Sequence, residues 1–372
     1  MHGERLEVTS IYATHATTRI EAAWAQRTED GVARVDFDEP LPPGRSTLHI
    51  EYSAPFDTPL RGLYRVQSGG QTYAFTQFES ISARLAFPCF DEPRFKTPFE
   101  LTLTVPEGEF AAANTPVDRA ISLPTGLQRI TFLPTPPLPT YLVAFAVGPF
   151  DVVAGTSIPP NESRPFAIPV RGLAAKGRGT RLQYALDQTA RFVEALEEYF
   201  GIPYPYRKLD LVAVPDFAAG AMENVGLITF REWLLLLDAD RATEGQRRAF
   251  AYVMAHELAH QWFGNLVTMP WWDDIWLNEA FATWMGNKIV HRLHPEYRSD
   301  LASLASAQRA MGLDSLTSAR SIRQPIQSNH DIKNAFDAIT YEKGGGVLSM
   351  FEHWMGEEVF REGIRQYLKQ HE

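Results

Sequence analysis

A single cysteine, Cys89, stands in 372 residues, which excludes an internal disulfide and any cysteine-based metal cluster. No apolar run reaches the ~18 residues of a membrane span. The opening Met1-His2-Gly3-Glu4-Arg5 lacks the basic-then-apolar pattern of a secretory signal. Asn161-Glu162-Ser163 fits a glycosylation sequon, but with no such signal it reads as coincidence. Positive charge is scarce too: 35 Lys and Arg face 45 Asp and Glu, a formal net charge of −10. A nucleic-acid binder needs a basic face to displace counterions from phosphate, so that class is set aside. Repeats and low-complexity tracts are missing as well. These absences predict a cytoplasmic protein with no transmembrane segment. What is plentiful is hydrophobic, 45% of residues, enough for two or three cored domains at about 150 residues each.

Residues up to about 170 read as β. Phe99 to Val105 alternates apolar and polar, the period of a half-buried strand, and Leu48, Ile50, Tyr52 and then Tyr73, Phe75 repeat it. The apolar run Tyr141 to Val147 suits a strand covered on both faces. Turn signals between these segments, such as Pro40 to Gly44, predict a β-sandwich or saddle. Beyond Gly177-Arg178-Gly179 the period changes. Leu182, Leu186, Val193, Leu196 and Phe200 recur at helical steps, with Gly201 and Pro203 after them. Strand-like Leu209 to Val214 and Val225 to Phe230 follow, and then a long helix. Thr243 with Gln246 opens it as a capping box, Phe250, Val253, Met254 and Leu258 form its buried stripe, and Gly264 closes it. The reading divides the chain at 1–172 and 173–372.

His256-Glu257-Leu258-Ala259-His260 lies on that helix. Histidines four apart are separated by about 40° around the axis and one turn along it, so both imidazoles face one point. Neutral imidazole is a good zinc ligand, and Glu257 between them can reach water on the metal. A catalytic zinc needs three protein ligands. Glu279, in Trp276-Leu277-Asn278-Glu279-Ala280, follows His260 after residues 261–278 and supplies the third from a second helix. His291 and His294 also share a helical face but have no carboxylate so arranged, and they read as surface residues. Asp273 and Asp274 are read as capping or solvated, with orientation of a metal-bound histidine as the alternative. Cys89 is read as packing.

At this point the sequence resembles the gluzincin M1 aminopeptidases. The resemblance is carried by Gly220-Ala221-Met222-Glu223-Asn224, by His256-Glu257-x-x-His260 with Glu279, by Phe87-Pro88-Cys89-Phe90-Asp91-Glu92-Pro93, by Thr140 to Phe150 and by Tyr341-Glu342-Lys343-Gly344. It implies an α+β multidomain fold, an N-terminal β-sandwich or saddle followed by a thermolysin-like, mainly helical zinc catalytic domain. It implies one zinc on His256, His260 and Glu279, Glu257 as general base and Tyr341 as oxyanion stabiliser. It further implies that Glu223 and Glu79 hold the free α-ammonium of a peptide, with Gly220, Ala221, Met222 and Asn224 beside the substrate main chain. Members of the family are much longer, so the chain is expected to be truncated at both ends. Ala280 stands where glycine is commoner in the family, with little effect expected.

Three other readings stay open. A thermolysin-like endopeptidase shares the metal site without needing Glu79 and Glu223. A leukotriene-A4-hydrolase-like epoxide hydrolase shares both site and fold. A catalytically impaired fragment or non-enzymatic scaffold shares the fold alone.

Overall fold

A computed structural model describes all residues from Met1 to Glu372. The fold is α+β: three antiparallel sheets come first, and a mixed sheet flanked by helices carries the remainder. Strands β1 (Glu7–His15), β2 (Thr18–Gln26), β3 (Ala33–Phe37) and β4 (Thr47–Ser53) form the first sheet in the order β3-β2-β1-β4. Next in the chain come β5 (Gly62–Ser68), β6 (Gln71–Gln77), β7 (Thr102–Pro106), β8 (Phe110–Ala113), β9 (Val117–Leu123), β10 (Leu127–Phe132) and β11 (Phe145–Gly148). They make one sheet ordered β5-β6-β11-β8 and a smaller one ordered β7-β10-β9. The alternation at Tyr73 and Phe75 puts both rings in the core, each 1% exposed.

Two expected strands are shorter than their hydrophobic patterns. The first three residues of Phe99 to Val105 precede β7, since Phe99 N–H donates to the Thr135 hydroxyl instead of to a neighbouring strand. The Tyr141 to Val147 run begins in a tight turn, Thr140–Leu142, before β11. Asn114 explains this: its amide donates to the Leu142 and Val225 carbonyls, and its oxygen accepts from Ala144 N–H. A side chain has taken bonds that a strand ladder would otherwise make.

The mixed sheet contains β12 (Asp151–Ala154), β13 (Val170–Ala174), β14 (Leu209–Val214), β15 (Ala221–Met222) and β16 (Leu227–Arg231), ordered β12-β13-β14-β16-β15. Position 172 therefore lies inside a strand of this sheet. Helix α1 (Gln183–Phe200) ends at Gly201, whose φ of 66° is the left-handed cap that glycine adopts without strain. The short α2 (Glu232–Leu235) precedes α3 (Glu244–Ala259), which opens with the anticipated capping box: Gln246 N–H donates to Thr243 Oγ1 at 3.2 Å, and Thr243 N–H to Gln246 Oε1 at 3.0 Å. Of its predicted stripe, Phe250, Met254 and Leu258 are buried and Val253 is half-buried. Then come α4 (Ile275–Leu293), α5 (Ser299–Asp314), α6 (Asn329–Ile332), a π-turn (Ile339–Lys343), α7 (Gly344–Met355) and α8 (Glu357–His371). No helix is long and apolar enough to cross a membrane.

Candidate metal centre and substrate cleft

His256 sits in the last turn of α3 and His260 immediately after it, while Glu279 lies near the start of α4. The two helices pack closely. Gly286 of α4 faces His256 across this packing, and a Cβ there would make ordinary contact, 3.4 Å from His256 N. The packing brings three donor atoms together. His256 Nε2 and His260 Nε2 are 3.0 Å apart, and Glu279 Oε2 is 3.3 Å from the first and 3.4 Å from the second. Donors at ~2.05 Å from a tetrahedral ion are separated by about 3.3 Å. The triangle thus has the size of one face of such a polyhedron, and a fourth apex stays free. His260 Nδ1–H donates to the Phe263 carbonyl at 3.0 Å, leaving its Nε2 lone pair available to a metal. The residues fit a metal ion.

Burial pulls the His256 imidazole below its ordinary value, and Glu279 offsets this only in part. Burial acts the same way on His260, but Glu223, Glu279 and Glu257 overcome it and raise it to about 10. For Glu279 burial would raise the carboxyl, yet the two imidazoles bring it down to about 2. Glu257 and Glu79 are held well above the usual carboxylate range, first by burial and then by the Glu223 charge. Burial raises Glu223 too, with His260 working against it. Four carboxylates crowd this cluster with two imidazoles, and a cation bound among them would relieve the burial and repulsion that raise Glu79, Glu223 and Glu257.

Glu79 follows β6 and Glu223 follows β15, and the buried Oε1 of each has no hydrogen-bond partner. The Glu223 carbonyl is clamped by Gln261 Nε2 at 2.9 Å and Asn265 Nδ2 at 2.8 Å, so the chain just past the metal motif fixes the loop bearing Glu223. Lys96 fixes that same chain by donating to the Asn265 and Leu266 carbonyls. Sequence reading missed Gln261, Asn265, Asn114 and Lys96; each acts on a backbone carbonyl, which leaves no spacing signature. Gly220 and Ala221 lie along the sheet edge, where β15 pairs only with β16. A Cβ on Gly220 would meet only Leu234, at 3.8 Å, so the space over it is open. Met222 differs from expectation: its side chain is in the hydrophobic core, leaving only its backbone for a substrate. Asn224 is also buried and donates to Thr229 Oγ1. A cavity of about 1020 Å³ opens at Glu79, lined also by Gln77, Ala218, Ala219 and Phe336.

Tyr341 lies in the π-turn, a rare geometry found mostly at functional sites, with its ring stacked on His256 at 6.2 Å between centroids. Burial, followed by the Glu279 charge, holds the phenol well above its usual value, so it remains a donor. Directly after this turn, a Cβ on Gly344 would fall 2.6 Å from the Ala280 Cβ. Gly344→Ala is therefore expected to push α7 and Tyr341 off α4, costing about 1–3 kcal/mol of stability as overpacking does. Ala280→Gly in the same chain should restore most of the loss, as read by thermal unfolding. Equal stability of the single and double variants would contradict this contact.

Asp273 and Asp274 make ion pairs with Arg323 and do not orient a histidine. His291 is exposed as expected, but His294 is not a surface residue; it is half-buried against Tyr297 and Phe192. Cys89 is packed at 6% exposure.

The chain matches the Peptidase family M1 domain over residues 184–372 and the Peptidase M1 N-terminal domain over residues 1–142. Aminopeptidase M1-C of Oryza sativa subsp. japonica is 40% identical over 347 residues, covering 92% of this chain and 39% of its own length. Aminopeptidase 2, mitochondrial, of Saccharomyces cerevisiae is 42% identical over 332 residues, 87% of this chain and 34% of its own. Endoplasmic reticulum aminopeptidase 1 of Homo sapiens is 38% identical over 330 residues, with the same coverage of 87% and 34%. The chain belongs to peptidase family M1, and it spans about two fifths or less of the length of these relatives.

Proposed function

We propose that this chain carries the active site of a zinc-dependent aminopeptidase, which hydrolyses the first peptide bond of peptides with a free N-terminus. One observation carries the reading. The buried Glu223 and the half-buried Glu79 each have a buried Oε1 without a partner, and both feel the charges of His260 and Glu279. Such groups are costly to leave unmatched, and a substrate ammonium would match both. An enzyme that cuts inside a chain has no such cation to place there.

His256, His260 and Glu279 would hold the zinc, whose chemistry when bound is Lewis-acid polarisation and activation of water. Glu257 Oε2 is buried and partnerless, and its raised carboxyl suits it to accept a proton from the attacking water and to return it to the leaving amine. Tyr341, kept protonated by burial, donates to the scissile carbonyl oxygen as negative charge builds there. Glu79 and Glu223 hold the ammonium, so one residue is counted off from the end. The free edge at Gly220 and Ala221 pairs with the substrate main chain as an added strand would.

Glu223→Gln tests the anchoring role. Against an aminoacyl anilide it should cost about thirtyfold to several thousandfold in kcat/KM, in line with truncating one partner of a desolvated charge pair. Any residual turnover of the N-acetylated analogue should not change. Equal loss on both substrates would count against an ammonium anchor, and no turnover of either by the zinc-loaded wild type would favour the scaffold reading.

A further inference from the structure

We propose that Arg320 is a positioning residue for Tyr341, acting through Asp337 to hold the π-turn that presents the phenol. Arg320 belongs to the segment between α5 and α6, far from the metal cluster in sequence, yet its side chain is only 16% exposed. Its guanidinium is fully engaged. Nε and Nη2 donate to the two carboxylate oxygens of Asp337, Nη2 also to Thr340 Oγ1 and the Ala335 carbonyl, and Nη1 to the carbonyls of Ser321 and Ile322. Asp337 passes this order on. Its Oδ1 accepts from Ile339 N–H at 2.9 Å and Thr340 N–H at 3.2 Å, and its carbonyl accepts from Tyr341 N–H at 3.1 Å.

The physical need is local. The first N–H groups of any helical segment lack partners from within it, and a π-turn interrupts the regular i→i−4 ladder. Here one carboxylate satisfies two of those N–H groups, and the planar fork of an arginine fixes that carboxylate. Thr340, the residue before Tyr341, is gripped from both sides: its N–H by Asp337 and its hydroxyl by Arg320. Ile339 and Thr340 are buried, so rotation of this turn would expose core residues. The clasp fixes where the Tyr341 ring meets His256, while Arg320 itself touches no metal-site residue.

The kinetic part of the test rests on the aminopeptidase reading; a second readout does not. In the full zinc-loaded chain, Arg320→Met should lower kcat about tenfold to hundredfold on an aminoacyl anilide, the scale of misplacing a reacting group, with KM within about twofold. In a Tyr341→Phe background the same substitution should cost nothing further, because the residue it serves is gone. Equal fold-losses in both backgrounds would mean general destabilisation and overturn the proposal. Independently, the chain with 3-fluorotyrosine in place of Tyr341 should show its ¹⁹F resonance shifted or broadened by Arg320→Met and by Asp337→Asn. An unmoved resonance in both would overturn the proposal, whether or not the wild type hydrolyses anything. If the wild type has no turnover, the aminopeptidase reading fails and the fluorine signal still decides the clasp. Should Arg320→Met not fold, Arg320→Lys serves the same comparisons, since an ammonium cannot span both Asp337 oxygens and Thr340 at once.

Discussion

Glu257→Gln is expected to abolish measurable hydrolysis, by about 10²–10⁴-fold, while leaving metal uptake unchanged. The separation follows from geometry. The three converging donors belong to His256, His260 and Glu279, and Glu257 is not among them. Its Oε2 has no hydrogen-bond partner, so an amide of the same shape breaks no existing bond. Burial and the Glu223 charge hold this carboxyl above its usual range. Replacing it by a neutral group should therefore leave thermal stability unchanged or slightly higher. Turnover and metal content measured on one sample check both halves. Retained turnover would end the base role, and loss of the metal would make Glu257 a ligand.

Tyr341→Phe is the second large effect. Removing one oxyanion donor typically costs about 10²–10³ in turnover, some 3–4 kcal/mol. Because the interaction forms only as charge develops, kcat should fall and KM should hardly move. The ring itself remains, so its stacking on His256 persists. Steady-state kinetics on a series of amino-acid amides reads this directly. A raised KM with unchanged kcat would assign Tyr341 to ground-state binding, and an unchanged rate would remove it from the chemistry.

Much of the site was legible because its signals are periodic. Histidines four apart on a capped, striped helix specify a common direction without reference to the rest of the chain, and α3 begins at the predicted cap. The approach of Glu279 from α4 was less so, because it depends on how α3 and α4 pack, which no local spacing encodes. The supports were not legible at all. Gln261 and Asn265 reach the Glu223 carbonyl, and Asn114 ties β8 to the loop after Asn224. Side-chain bonds to backbone carbonyls carry no periodicity, and their partners are distant in sequence. The same cause shortened two predicted strands. At Phe99 and at Tyr141 the hydrophobic pattern was right about burial, but Thr135 and Asn114 took the backbone partners. Met222 shows the converse: the family resemblance implied a place beside the substrate, and its side chain fills the core.

Metal stoichiometry tests the central claim most directly. The chain, stripped by a chelator and titrated with zinc, should take up one ion, and Glu279→Gln or His260→Ala should abolish or sharply weaken that uptake. Binding to the native state alone should also raise the unfolding temperature of the wild type with zinc concentration. A folded wild-type sample that takes up no ion, or one whose uptake is indifferent to both substitutions, would contradict the account.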